Sequence, residues 1–162
     1  MLAKLIVEGK EFDIEIQDPK LKELLTPKKK TGYERVEKEN DSYYFDNGGG
    51  YVGDSVDPFP KSEGNNAYKA GNYYTSVQVA ENNVRADKLM RQLRRFAVEH
   101  RTKDNPTEKY YIYYVKQVGL QTMRSTDRYI GPWFDNQHAG AEAIETFKDE
   151  LIWYFTEYKD SL

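Results

Sequence analysis

Apolar and polar residues alternate over Leu2–Val7 and again at Phe12, Ile14 and Ile16, with Glu8-Gly9-Lys10 between the two runs. Period-two alternation on both sides of a glycine turn predicts a β-hairpin. Asp18-Pro19 is a helix start, with Asp as the cap and Pro at the first helical position, and a helix of about two turns is expected over Lys20–Leu25. Thr26-Pro27-Lys28-Lys29-Lys30-Thr31-Gly32 breaks it and reads as a solvated linker. From Tyr33 the pattern turns aromatic. Strands are expected over Tyr33–Glu37, Ser42–Asp46 and Tyr51–Asp54, the last two joined by Asn47-Gly48-Gly49-Gly50, a strong hairpin signal. Ser55–Ala67 carries Pro58, Pro60, Gly64 and Asn65-Asn66 and reads as a surface loop, and Tyr68–Tyr74 reads as a further strand.

The chain is organised around the helix that follows. Thr75 is the expected cap, Gln78 three residues on completes a capping box, and Tyr74 with Val79 forms a staple. Val77, Ala80, Val84, Leu89, Leu93, Phe96 and Ala97 recur at helical spacing and give one apolar face that runs to about His100. Thr102–Pro106 ends the helix. Tyr110–Val118 predicts a long strand, Gly119 a turn, and Leu120–Ser125 with Arg128–Ile130 the strand that extends or pairs with it. Asp135 is then placed to cap a last helix over Asn136–Tyr158, with Ala139, Ala143, Ile144, Phe147, Leu151, Ile152 and Phe155 on its apolar face.

The two halves are alike in order. Gly71-Asn72-Tyr73-Tyr74-Thr75 and Gly131-Pro132-Trp133-Phe134-Asp135 lie 60 positions apart, each before a long helix and after an aromatic hairpin. Divergence from one ancestral unit and convergence on one strand-to-helix turn both produce such a pattern. The expected fold is α+β with antiparallel strands: an N-terminal hairpin and short helix over 1–30, then an α+β domain over 31–162 built of two strand-helix units, 31–105 and 106–162.

Composition sharpens this picture in a few places. A chain of 162 residues buries a core without covalent staples. It has no Cys, so disulfides, thiol nucleophiles and thiolate metal sites are excluded, in keeping with a reducing cytoplasm. No apolar run approaches the roughly 20 residues of a membrane span, and Met1-Leu2-Ala3-Lys4 leads into a strand instead of a signal-peptide core. Tyr is abundant, 14 residues, and suits half-wet β surfaces and binding surfaces.

Net charge is −3, but the charge is segregated. Arg85–Lys103 holds seven Lys/Arg against Asp87 and Glu99, a net of +5, and Asp135–Leu162 holds seven Asp/Glu against Lys148 and Lys159, a net of −5. Either the two helices attract each other across the fold, or a charged face meets a partner. On the second reading the partner-binding candidates are Arg85, Lys88, Arg91, Arg94 and Arg95 on the basic helix and Glu142, Glu145, Asp149 and Glu150 on the acidic one.

Candidate catalytic chemistry is thin. There is no Gly-x-Ser-x-Gly elbow, and His100 and His138 lack the His-x-x-x-His or Glu-x-x-His spacing of a metal site. Asp46, Asp54 and Asp57 surround the glycines but do not match a calcium loop. Gly48-Gly49-Gly50 is followed by no Gly-Lys-Ser/Thr and is a hairpin turn, not a phosphate loop. A hydrolase working through paired carboxylates is the weakest class carried forward. Aromatic strands beside a basic helix are the ingredients of nucleic-acid binding, though no RNP, KH or helix-turn-helix pattern is present.

The tract Thr31-Gly32-Tyr33-Glu34-Arg35-Val36, then Tyr43-Tyr44-Phe45, then Tyr68, Gly71-Asn72-Tyr73-Tyr74 and Ala80-Glu81, resembles small proteins of Gram-positive phages and other mobile elements. The resemblance covers Met1 to His100. Some phage proteins of this size and style are anti-defence proteins, including anti-CRISPR inhibitors of type II Cas9 effectors. The resemblance therefore implies a non-enzymatic, cofactor-free binding protein of the bacterial cytoplasm. Its partner would be a host defence protein, most concretely a Cas9–guide RNA complex. The alternative is a nucleic-acid-binding accessory protein of a mobile element.

Overall fold

The computed structural model describes residues 2–7, 10–25, 30–62, 64–102, 108–125 and 131–158. The chain divides into two compact units, Met1–Thr31 and Gly32–Leu162. In the first, β1 (Leu2–Val7) pairs antiparallel with β2 (Lys10–Glu15), Leu2 opposite Glu15 and Val7 opposite Lys10. The turn residues Glu8 and Gly9 lie outside the described residues, as do linker residues 26–29. Helix α1 (Pro19–Leu25) starts as the sequence indicates: Pro19 is its first residue, and the Asp18 carboxylate accepts a hydrogen bond from the Lys20 amide at 2.8 Å.

The second unit contains one construction twice. In the first half, β3 (Asp41–Asp46) pairs antiparallel with β4 (Val52–Asp57) around the Asn47–Gly50 turn, where Gly48 and Gly50 hold positive φ. Tyr44 faces Asp54 of β4 on one edge and on the other exchanges two backbone hydrogen bonds with Tyr74, at 2.8 and 2.9 Å. In the second half, β5 (Lys109–Val115) pairs antiparallel with β6 (Gly119–Ser125). Tyr110 faces Arg124 and exchanges two hydrogen bonds with Phe134, both at 2.9 Å. Two residues after each bridge comes a helix cap, Ser76 for α3 (Val77–Glu99) and Asn136 for α4 (Gln137–Thr146). The bridging pair Tyr74 and Phe134, like the caps Ser76 and Asn136, lie 60 positions apart. The likeness between the halves is thus a likeness of hairpin, bridge and helix, with the fold α+β and antiparallel as expected.

Several sequence expectations move. Tyr33–Glu37 is not a strand, because its groups are used elsewhere. Gly32, at φ +89, gives its carbonyl to the Thr75 amide at 2.8 Å, and the Val36 amide donates to the Tyr73 hydroxyl at 3.2 Å. Strand β4 continues to Asp57, into the stretch expected to be loop, and Tyr68 lies in a single helical turn, α2 (Asn66–Lys69), capped by Asn65. Only Tyr74 of the expected Tyr68–Tyr74 strand pairs. Asn72 supplies a substitute for strand pairing, its side-chain amide taking the Asp46 N–H at 2.6 Å and donating to the Asp46 carbonyl at 2.8 Å.

Both long helices start one residue later than expected: Ser76 and Asn136, not Thr75 and Asp135, are the caps and accept from the Val79 and Ala139 amides. Gln78 closes no capping box: its amide donates to Asn82 at 3.1 Å. The last helix is not continuous. It breaks at Phe147, resumes as α5 (Lys148–Trp153) and ends in a π-helical turn over Tyr154–Tyr158. Arg128–Ile130 lie outside the described residues.

Helix α3 joins the halves. Its first part buries Ala80, Val84 and Ala86 and packs against β3 and β4. Its second part buries Leu89, Leu93 and Ala97 against Phe134, Ala139, Ala143 and Leu151. Each fully buried Leu or Phe contributes roughly 1.5–3 kcal/mol, so this cluster contributes substantially to stability. Among the described residues no helix is long and apolar enough to cross a membrane.

Candidate partner-binding groove

The apolar side of α3 faces the core, so its charged residues must lie on the remaining sides, and the structure divides them among three settings. Arg85 is used within the molecule. Its guanidinium meets Glu150 with two hydrogen bonds, 2.8 and 3.0 Å, and lies 3.9 Å from the Trp153 ring centroid. Arg91 approaches the Asp46 carboxylate at 4.0 Å, and Arg95 pairs with Glu99 one turn along its own helix at 2.7 Å. Lys88 and Arg94 are exposed and make no ion pair among the described residues.

The acidic candidates come together at the helix break. Phe147 ends α4 and begins α5, which turns Glu145, Asp149 and Glu150 toward α3. Asp149 and Glu150 sit in the first turn of α5, where the helix dipole favours anions. The result is an open groove of about 430 Å3 with Arg85, Lys88 and Gln92 on one side and Glu145, Lys148, Asp149 and Glu150 on the other. Five of the nine sequence candidates line it. Its six charged side chains are three cations and three carboxylates, so its formal charge is zero. Glu142 lies apart, its carboxylate 3.9 Å from His100 Nε2.

His100 and His138, distant in sequence, share a depression of about 290 Å3 between the end of α3 and the start of α4. The His100 ring stacks on Phe96 at 3.8 Å, and its Nδ1 lies 2.9 Å from the Phe96 carbonyl oxygen, so it caps the helix end. Among the described residues no group of three or more His, Asp or Glu side chains is placed to hold a metal ion.

Two polar clusters escaped the sequence reading. In one, Arg35 meets the buried Asp57 carboxylate at 2.9 Å, and the Tyr73 hydroxyl donates to the same carboxylate at 3.2 Å. In the other, the Tyr158 hydroxyl donates to Asn83 Oδ1 at 3.0 Å, while Asn83 Nδ2 donates to the Tyr33 hydroxyl and the Val79 carbonyl, both at 2.8 Å. Burial first, then the neighbouring Tyr33, Tyr154, Asp87 and Tyr74, pushes the Tyr158 phenol up to about 12. Apart from Asn83 and Val79, one turn apart on α3, the partners in these clusters stand 16 to 75 positions apart, beyond any local pattern. No protein-family model matches the chain, and no match was found among curated proteins or solved structures.

Proposed function

We propose that this chain is a protein-binding inhibitor of the anti-defence kind carried by phages and mobile elements, one that docks on a type II Cas9–guide RNA complex and blocks it by occupancy. The observation that carries the reading is the balanced groove between α3 and α5, in which Lys88 faces Glu145 and Asp149 without an ion pair of its own among the described residues. A polyanion entering this groove meets as many carboxylates as cations. A folded protein surface offers both signs and can match both walls. The class of target comes from the resemblance of the Thr31–Glu81 tract to small phage proteins.

A nucleic-acid-binding accessory protein is the second reading. It draws on Trp133, which has the Arg101 guanidinium 5.0 Å and the Lys109 ammonium 4.5 Å from its ring centroid.

Titration of the purified chain into DNA cleavage by a Cas9–guide RNA complex tests the first reading. Cleavage should fall stoichiometrically, with association that slows as salt rises. Glu145→Gln with Asp149→Asn should slow association about tenfold and flatten that salt dependence. Cleavage unaffected by excess protein would overturn the reading.

A further inference from the structure

The segment after β4, Asp57-Pro58-Phe59-Pro60-Lys61-Ser62, exposes Phe59 to 66% although the backbone around it is held from several directions. The Arg35 guanidinium donates to the Asp57 carboxylate at 2.9 Å, to the Phe59 carbonyl at 2.9 Å and to the Ser62 carbonyl. Asp57 accepts from the Phe59 amide at 3.2 Å, and the Ser62 amide and hydroxyl both donate to the Phe59 carbonyl, at 2.9 and 3.0 Å. Pro58 and Pro60 fix φ on either side. Burying an ion pair carries a desolvation cost, and what Arg35 and Asp57 accomplish at that cost is to set the loop carbonyls and aim the phenyl ring outward. Phe59, Pro60 and Lys61 form one wall of a shallow groove of about 680 Å3 whose other wall is Glu37, Lys38 and Glu39.

We propose that this groove is a docking surface, separate from the α3–α5 groove, for an extended peptide segment of a protein partner. The segment carries an apolar side chain that packs on Phe59 and Pro60, an acidic residue toward Lys61 and a basic residue toward Glu39. A rigid aromatic on a fixed loop loses little entropy on binding, which is the property of an interface anchor. The inference does not depend on Cas9 being the target of the other groove.

The test is selection of a random linear peptide library, displayed on phage, against the full chain, with recovered peptides then measured by fluorescence anisotropy. Peptides of the stated charge order should bind the wild type, bind Phe59→Ala about tenfold more weakly or worse, and retain affinity for Phe59→Trp. Glu39→Lys should also weaken them. Thermal melting of Phe59→Ala should match the wild type, because the ring is exposed. No enrichment over an unrelated control protein would overturn the proposal, as would peptides that bind Phe59→Ala as tightly as the wild type. Peptides lost on Arg85→Glu instead would assign the binding to the α3–α5 groove and likewise overturn it.

Discussion

Arg35 and Tyr158 show how much of this structure rests on single polar residues with distant partners. Burial alone would raise the Asp57 carboxyl, but the hydrogen bond from Arg35, the Phe59 amide and the Tyr73 hydroxyl outweigh it and hold it below the ordinary carboxylate value. The folded pKa thus lies below the unfolded one. The Asp57 contribution is complete above about pH 4, the unfolded carboxylate value, and is lost as pH falls through the folded value. Arg35→Leu leaves the carboxylate buried without its cation. Its melting temperature should fall by on the order of 10 °C at neutral pH. That deficit should shrink near about pH 3, where protonation removes the orphaned charge. A deficit independent of pH, measured by circular dichroism melting, would assign the loss to packing instead. Tyr158 has the opposite sign. Its phenol is raised to about 12, so its contribution is complete below about pH 10 and is lost as pH rises through the folded value. Spectrophotometric titration should show a late-ionising tyrosine fraction, to which Tyr73, Tyr74 and Tyr154, also raised by burial, contribute, and Tyr158→Phe should remove its latest part. The Arg35–Asp57 pair was not legible in sequence: Arg35 stands in a tract that alternates like a strand, and Asp57 precedes a proline and so reads as the start of a loop.

At the level of elements the sequence was more legible, although two expected strands, Tyr33–Glu37 and Tyr68–Tyr74, did not form. Hairpins, the Asp18-Pro19 start and the apolar faces of the long helices all follow from local period and turn chemistry. Both long helices nevertheless begin one residue late for the same reason. Thr75-Ser76 and Asp135-Asn136 each offer two good caps in succession, and the backbone bridge at Tyr74 or Phe134 decides between them. Asp135 is instead buried, accepting from the Thr102 amide at 2.5 Å and its hydroxyl at 2.8 Å. The break at Phe147 was invisible because Ile144, Phe147 and Leu151 keep helical spacing across it. The approach of α4 to β6 was equally hidden, and it depends on Gly140. A Cβ there would stand 2.8 Å from Thr122 Cγ2, a methyl on a stiff β-branched side chain. Alanine would gain about 1 kcal/mol of helix propensity but incur about 1–3 kcal/mol of overpacking. Gly140→Ala should therefore be less stable than wild type in urea unfolding. Combining it with Thr122→Ser, which deletes the methyl, should recover much of the loss. A stabilised single variant would mean that α4 shifts freely on the sheet.

Across the whole molecule the segregation of charge was plain in the sequence, but its destination depended on how α3 meets the last helices, which no local pattern specifies. The answer is mixed. Arg85 with Glu150 and His100 near Glu142 link the basic and acidic segments, while Lys88, Arg94, Glu145 and Asp149 make no ion pair among the described residues. Exposed pairs of this kind are worth at most about 1 kcal/mol each, so they orient the helices more than they hold them. The same distribution governs any encounter with nucleic acid. Arg85 is held by Glu150, Arg95 by Glu99, and Arg91 lies near Asp46, which leaves Lys88 and Arg94 as the readiest phosphate contacts on α3. Two contacts on duplex DNA give a log-log salt slope of roughly −1.8, against roughly −3.6 for four, at about 0.9 per contact. With a net charge of −3 opposing approach, isolated DNA and RNA should bind no more tightly than the nonspecific range of about 1–100 µM at physiological salt. Fluorescence anisotropy with labelled single- and double-stranded oligonucleotides at two salt concentrations measures both quantities. Submicromolar binding with the steeper slope, abolished by Arg91→Ala, Arg94→Ala and Arg95→Ala together, would replace the inhibitor reading with the nucleic-acid one. Feeble binding with the shallow slope leaves those arginines to act only where a protein partner supplies the complementary surface.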